Sequence, residues 1–277
     1  MALPADFRFS QSSLQDYLDC NYRFRLRYIL RQAWPAVVAE PLDVYERQLR
    51  EGEAFHQLVH RHLAGMPAEA LDSLATEEPL RRWWMDYLRT GLNGLPQARY
   101  PEITLAAQIE GWWFTAKYDV IAVAPGERAV IVDWKTTDHP RRSRLAQTMQ
   151  TVIYRYLLVK AGAHLNGGVP FQPEQVEMMY WFTQEPDAPE RFTYNRSQYQ
   201  LDGEALAALV QAIVSGQPED FPRTEVTGRC RFCTYRSLCD RGARAGDFRD
   251  GNDVPEVESD VGWELEAHFD QIAEIEF

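Results

Sequence analysis

The chain has 277 residues, 45% of them hydrophobic, enough for a substantial core in one large domain or two small ones. No run of 18 apolar residues occurs, so no membrane span is expected, and the opening MALPADFRFSQSS lacks the basic-then-apolar plan of a secretion signal. The net charge of −12 argues against a nucleic-acid binder only until it is mapped: residues 246–277 hold eleven acidic side chains and one Arg, leaving −2 for the rest.

These features point to a cytoplasmic protein, in which thiols stay reduced and grouped cysteines hold metal more often than they form disulfides. Outside the acidic tail the charge is locally basic. Runs of arginine occur at Arg23, Arg25, Arg27 and Arg31, at Arg141, Arg142 and Arg144, and at Arg229, Arg231, Arg236, Arg241 and Arg244.

Residues 10–32 read as a helix with Ser10 or Ser12 as N-cap, because Leu14, Tyr17, Leu18 and Phe24 recur at helical spacing. Pro35 and Pro41 bracket a loop, residues 43–64 form a second helix, and a more variable helical stretch runs to about residue 92. Turn residues at 93–101 switch the period. From 102 the pattern is that of strands: ITLAAQIE, then WWFTAKYDVIAVA, a turn at Pro125-Gly126, and RAVIVDWKT. Residues 143–162 restore helical periodicity, with Gly162 expected just past the helix end. A strand at 176–183, an edge strand at 190–197 and a helix at 202–215 follow. This order predicts a mixed α/β core, a central sheet flanked by helices.

The stretch from Cys230 to Cys239 reads C-x2-C-x5-C and supplies three soft ligands where a tetrahedral site needs four. Cys20, 210 residues before Cys230, is the only other cysteine. Either the triplet is incomplete, or the fold carries its N-terminal helix back to its C-terminal segment.

In AVIVDWKTT, alternation puts Ile131, Asp133 and Lys135 on one face of a strand and Val130, Val132 and Trp134 on the other. Taken alone, such a D-x-K reads most simply as a salt bridge at a strand end. Fourteen residues earlier, however, Asp119 lies on the preceding strand of an expected antiparallel pair. Two carboxylates on neighbouring strands with a lysine beside them suit Mg²⁺ or Mn²⁺ near a phosphate. Gln150 and Tyr154 share a face of the following helix, and His56 lies in G-E-A-F-H on the second helix. Neither the Q-x3-Y pair nor a lone helical histidine says much by itself, and His60 and His62 read as surface positions.

Together, Gly52 and His56 (G-x3-H), Asp119, Asp133 and Lys135 (D-x-K), and Gln150 and Tyr154 (Q-x3-Y) resemble the RecB-like branch of the PD-(D/E)XK nuclease superfamily. With the four cysteines added, the chain resembles its iron–sulfur subgroup, which includes CRISPR-associated exonucleases and the nuclease domain of the AddB helicase–nuclease subunit. The pattern departs in three places: Thr115-Ala116-Lys117 precede Tyr118-Asp119 where a Gly is usual, Asn21 stands where a proline commonly follows the first cysteine, and the region between 65 and 100 matches no part of it.

The resemblance implies a restriction-endonuclease-like core and a [4Fe–4S] cluster on Cys20, Cys230, Cys233 and Cys239, although four thiolates suit zinc equally by ligand count. It implies phosphodiester hydrolysis with Asp119, Asp133, the Trp134 carbonyl and His56 around Mn²⁺ or Mg²⁺, Lys135 orienting water, and Gln150 and Tyr154 positioning DNA or the lysine. Residues 1–245 are the expected nuclease domain, with a helical segment at 43–100, the catalytic core at 102–183 and the cysteine region at 217–243.

The expected activity is a single-strand DNA exonuclease in repair, recombination or CRISPR adaptation. The rival is a non-catalytic DNA-binding or assembly subunit that keeps the fold. No phosphate-binding G-x4-G-K-[ST] loop occurs, so a helicase would have to be a partner, and a CRISPR integrase is another expected partner. The tail at 246–277 keeps Trp263, Leu265, Phe269, Ile272, Ile275 and Phe277 among its acids. It is expected either to dock on a basic surface, in cis or on a partner protein, or to serve solubility alone.

Overall fold

Ser10 opens the first helix. Its hydroxyl accepts the Ser13 N–H at 3.2 Å while the Ser13 hydroxyl accepts the Ser10 N–H at 2.9 Å, a reciprocal cap. The computed structural model describes residues 3–33, 42–137 and 140–242, so the acidic tail and the docking expected of it lie outside the described residues.

Helix α1 (Gln11–Asp19) stops earlier than its periodicity predicts. Cys20 takes an extended backbone, φ −163° and ψ 105°, and the chain resumes as α2 (Asn21–Phe24) and a π-helical turn over Arg25–Ile29. Leu14 and Phe24 are fully buried on either side of the break, so the apolar spacing carries straight across it.

Helix α3 (Leu42–Leu63) matches the second expected helix, and the stretch after it resolves into α4 (Ala68–Asp72), α5 (Leu80–Asp86) and a π-helical turn over Tyr87–Gly91. A five-stranded sheet follows, in the order β1 (Ala98–Ile109), β2 (Trp112–Ala124), β3 (Arg128–Lys135), β4 (Val176–Phe182), β5 (Glu190–Thr193). Within the sheet β3 and β4 pair in parallel, and the other neighbouring strands pair antiparallel. Their connection carries α6 (Arg142–Leu145) and α7 (Met149–Ala161). β1 begins inside the expected turn, because Pro101 sits on an edge strand where its missing N–H is tolerated.

The helix expected over 143–162 is split at Thr148, whose side chain accepts the Thr151 N–H and caps α7. Gly162 follows the end of α7 as expected, with φ −83°. A Cβ there would lie 2.6 Å from Leu158 Cδ1, so glycine serves close packing, and the left-handed position falls at Gly167 (φ 66°) after a 3-10 turn. Helix α8 (Arg196–Ser215) starts before residue 202, capped by the Asn195 side chain, which cuts the expected edge strand short.

Helices cover both faces. On one side Leu14, Phe24, Leu157 and Leu206 pack with Phe114, Tyr118, Ile131 and Tyr180. On the other, Phe55, Trp83 and Trp84 pack with Val120, Val130, Val132 and Trp134. The fold is thus the expected mixed sheet between helical layers, with β3 buried on both faces, as its near-continuous apolar run requires. Among the described residues no helix is long and apolar enough to cross a membrane.

Candidate active site

The site forms where β2 and β3 part company. Phe114, Ala116 and Tyr118 of β2 enter the larger core, and so do Ile121 and Val123, so the alternation slips by one between 118 and 121. Opposite the slip, β1 holds Glu102 at φ 55° and leaves Asp119 without a strand partner. β3 pairs with β2 only as far as Val120 opposite Val132. Asp119 thus occupies a bulge-like position at the end of the ladder, where its carboxylate turns into the gap.

Trp134 lies across that gap, and its backbone N–H donates to Asp119 Oδ2 at 3.0 Å. An extended residue's N–H and C=O leave the strand on the same side, so the Trp134 carbonyl faces the gap as well. Its indole is buried among Tyr87 and the α3–α5 residues.

Asp133 and Lys135 are both buried, and Lys135 Nζ lies 3.1 Å from Asp133 Oδ2. That ion pair is the contact Asp133 Oδ2 makes with a side chain. Asp133 Oδ1 accepts from Gln150 Nε2 at 2.7 Å, while Gln150 Oε1, also buried, has no hydrogen-bond partner among the described residues. Helix α7 therefore reaches the carboxylate directly through Gln150. Tyr154 does not: its hydroxyl donates to the Lys117 carbonyl at 2.7 Å, and Tyr118 donates to the Tyr154 carbonyl at 2.9 Å. This pair of bonds ties α7 to β2 just before Asp119.

His56 comes from α3, with Nδ1 3.5 Å from Asp119 Oδ2. The helix can approach because residue 52 is glycine: a Cβ there would stand 3.0 Å from Thr136 Oγ1 just beyond β3. His60 and His62, expected at the surface, are half-buried; His62 Nδ1 meets the Tyr87 hydroxyl at 3.0 Å, away from the carboxylates. Tyr180 escaped the sequence reading. It lies beside Asp133 in the parallel register, holds Thr151 Oγ1 at 2.8 Å, and turns its ring to Lys135 Nζ at 5.8 Å. Only knowledge of which strands pair could have found it.

Electrostatics set the two carboxylates apart. Burial pushes Asp133 up to about 6, Asp119 adds to the rise, and Lys135 opposes it. Burial would raise Asp119 too, but His56, the Trp134 N–H and Lys135 outweigh it and hold the carboxyl below its ordinary value. Burial would lower His56, but Asp119 and Asp133 outweigh that and raise it. One carboxylate is stably ionised and the other is short of positive charge, an arrangement receptive to a cation.

The second site joins the first helices to the C-terminal cysteine segment. Cys20, Cys230, Cys233 and Cys239 line one pocket, with Arg23, Arg229 and Arg241 among its walls. Arg229 Nη1 donates to the Leu18 carbonyl at 2.9 Å, the Tyr22 N–H donates to the Pro222 carbonyl at 3.1 Å, and the Tyr235 hydroxyl reaches the Gln32 carbonyl at 3.0 Å. The extended backbone of Cys20 is what ends α1 and offers its thiol to this pocket. Burial raises the Cys233 and Cys239 thiols above their ordinary values. Among the described residues, no three or more His, Cys, Asp or Glu side chains form a ready-made metal site.

A model of the PD-(D/E)XK nuclease superfamily matches residues 8–240. Among solved structures, the chain is similar to a candidate exonuclease from Eubacterium rectale, with 11% identity and a TM-score of 0.49 over 82% of this chain and 91% of that one. It is also similar to SSO0001, with 13% identity and a TM-score of 0.41 over 86% of this chain and 87% of that one. No curated protein matches it. The superfamily model spans nearly the whole described chain, from the strand-like segment at Phe9 to the last cysteine, and on that match the chain belongs to the PD-(D/E)XK nuclease superfamily.

Proposed function

We propose that this nuclease hydrolyses phosphodiester bonds in single-stranded DNA with a divalent metal ion, working from strand ends, and that an iron–sulfur cluster clasps its N-terminal helix to its C-terminal segment. The observation that carries the catalytic part is the convergence of Asp119, Asp133 and Lys135 on the gap between β2 and β3.

The residues fit a hard cation. Gln150 Oε1 is buried without a hydrogen-bond partner among the described residues, and Lys135, though ion-paired to Asp133, offsets the burial of that carboxylate only in part. Asp119, Asp133 and the Trp134 carbonyl would hold the ion, with His56 completing the set from α3 and favouring Mn²⁺ by its nitrogen. When bound, such an ion supplies Lewis-acid polarisation of the phosphate and lowers the pKa of a bound water.

The chain's own groups do the rest. Gln150 fixes the Asp133 carboxylate by donating to Oδ1, and the Trp134 N–H fixes Asp119 through Oδ2. Lys135, held beside Asp133 and the Tyr180 ring, presents an ammonium that orients water and offsets charge developing on the phosphate. Tyr154 braces the backbone of β2 just before Asp119.

The four cysteines fit a cluster by the chemistry of the donor set: four thiols, and no other sulfur donor, share one pocket. Anaerobic purification, iron and zinc analysis, and cleavage of strands labelled at either end with Mn²⁺, Mg²⁺ or EDTA test both parts. Iron with metal-dependent trimming from one end is the expected result. A metal-replete protein that binds DNA without cutting it would mark a non-catalytic subunit.

A further inference from the structure

The β1–β2 hairpin runs well past the rest of the sheet. β3 accompanies β2 only from Val120 onward, yet β1 and β2 stay paired out to Ile109 opposite Trp112. A two-residue turn closes the hairpin at Glu110 and Gly111, both left-handed, at φ 50° and 79°. One face of this extension is core: Phe114 is fully buried and stacks on Phe9 at 5.0 Å, and Trp112 meets Phe9 edge-on.

The other face is open. It presents the cross-strand pairs Thr104 with Lys117, Ala106 with Thr115, and Gln108 with Trp113. Trp113 is 45% exposed, and no other large exposed hydrophobic among the described residues is aromatic. Its neighbours are small or polar, so the face is flat up to the indole. By the alternation of β2, residues 113, 115 and 117 leave the strand on the same side. The open face therefore runs up to the slip in β2 that carries Asp119, two residues beyond Lys117.

We infer that this face is a binding track for the single strand being cut, with Trp113 stacking on a base about 20 Å from Asp119, six residues away along β2. The inference rests on the nuclease reading and adds to it a subsite that the carboxylates do not supply. Two features select a single strand as the occupant: the face leads to the reaction site, and its one large side chain is a base-stacking indole. Lys117 is held by Glu102 at 2.5 Å, Glu110 sits at the tip, and exposed Arg8 adjoins through the Phe9 pairing. Attraction here comes from stacking, which a duplex with its bases already paired cannot offer.

The test uses the full chain in EDTA, which stops cleavage, and fluorescein-labelled dT20. Trp113→Ala should weaken binding about tenfold, and Trp113→Phe should recover most of it. The loss should be the same at 50 and 200 mM salt, since stacking releases no counterions, and a blunt duplex should bind both proteins alike. With metal, kcat/KM on dT20 should fall by the same factor, while hydrolysis of bis-p-nitrophenyl phosphate, too small to reach the indole, stays unchanged. Binding of dT20 by Trp113→Ala within twofold of the wild type would overturn the track and leave the face to the 246–277 segment or a protein partner. A wild type that binds dT20 through Trp113 but cuts nothing would instead remove the nuclease reading and leave the track standing.

Discussion

The Trp134 N–H donates to Asp119 Oδ2 across the gap between β2 and β3, at 3.0 Å. That bond lies just beyond the last β2–β3 ladder pair, Val120 with Val132, and ties the two strands where their pairing ends. The indole on the other side of the same residue is anchored in the α3–α5 core, so Trp134 couples helical packing to the position of a carboxylate.

Gly52 sets the approach of α3. Gly52→Ala should lower cleavage several-fold, because its Cβ meets Thr136 Oγ1 and draws His56 from Asp119. In a Thr136→Ala background that obstacle is gone, and the same substitution should stabilise the protein by about 1 kcal/mol through helix propensity. Denaturant midpoints and initial rates of the four proteins measure both effects. Equal effects of Gly52→Ala in the two backgrounds would break the packing argument.

The raised Asp133 carboxyl predicts a pH-dependent stability. A carboxyl whose folded pKa, about 6, exceeds its unfolded value of 3.8 favours the fold most below 3.8 and loses that contribution as the pH rises through 6. In EDTA, Asp133→Asn should therefore melt higher than the wild type at pH 7.5, by on the order of 5 °C, with the gap closing towards pH 4. Mn²⁺ should raise the wild-type Tm at pH 7.5 and much less at pH 5, where it competes with the proton. A constant difference from pH 4 to 7.5 would contradict the assignment.

Much of this was readable from the chain, and the failures have physical causes. The D-x-K strand, Asp119 on its antiparallel neighbour and the helix bearing Gln150 follow from periodicities of two and 3.6, which burial enforces. The break at Cys20 was hidden because Leu14 and Phe24 keep helical spacing across it. The slip in β2 at Asp119 was hidden too, since it depends on Glu102 of the facing strand taking φ 55°. Tyr180 could not be found without the β3–β4 register. Gly162 stands just past the end of α7 as its spacing suggests, but the neighbour that demands glycine there, Leu158, acts through packing and not through a turn.

Cys20 and the C-terminal triplet should behave as one site. Cys20→Ala should lose bound iron as fully as Cys233→Ala and lower stability by a similar amount, on the order of 5 kcal/mol for opening a loop of 210 residues. Visible absorbance, iron content and thermal melts under anaerobic conditions check this. A Cys20→Ala protein that stays coloured and melts like the wild type would separate Cys20 from the cluster.

Gln150 should matter through Asp133. Gln150→Ala leaves the carboxylate without its 2.7 Å anchor and should reduce kcat ten- to a hundredfold with little change in KM for DNA, while Gln150→Glu should be worse because it adds a third buried acid. A Gln150→Ala enzyme that lost only affinity for DNA would make Gln150 a substrate contact.

The most direct test of the catalytic centre is cleavage of end-labelled single-stranded DNA by the wild type, Asp119→Asn, Asp133→Asn and Lys135→Ala, each with Mn²⁺ or Mg²⁺ and with EDTA. The geometry predicts cutting by the wild type only when metal is present. Each variant should lose at least about a thousandfold in rate while keeping its fold and its cluster colour. Asp133→Asn cutting at the wild-type rate, or a wild type equally active in EDTA, would contradict the account.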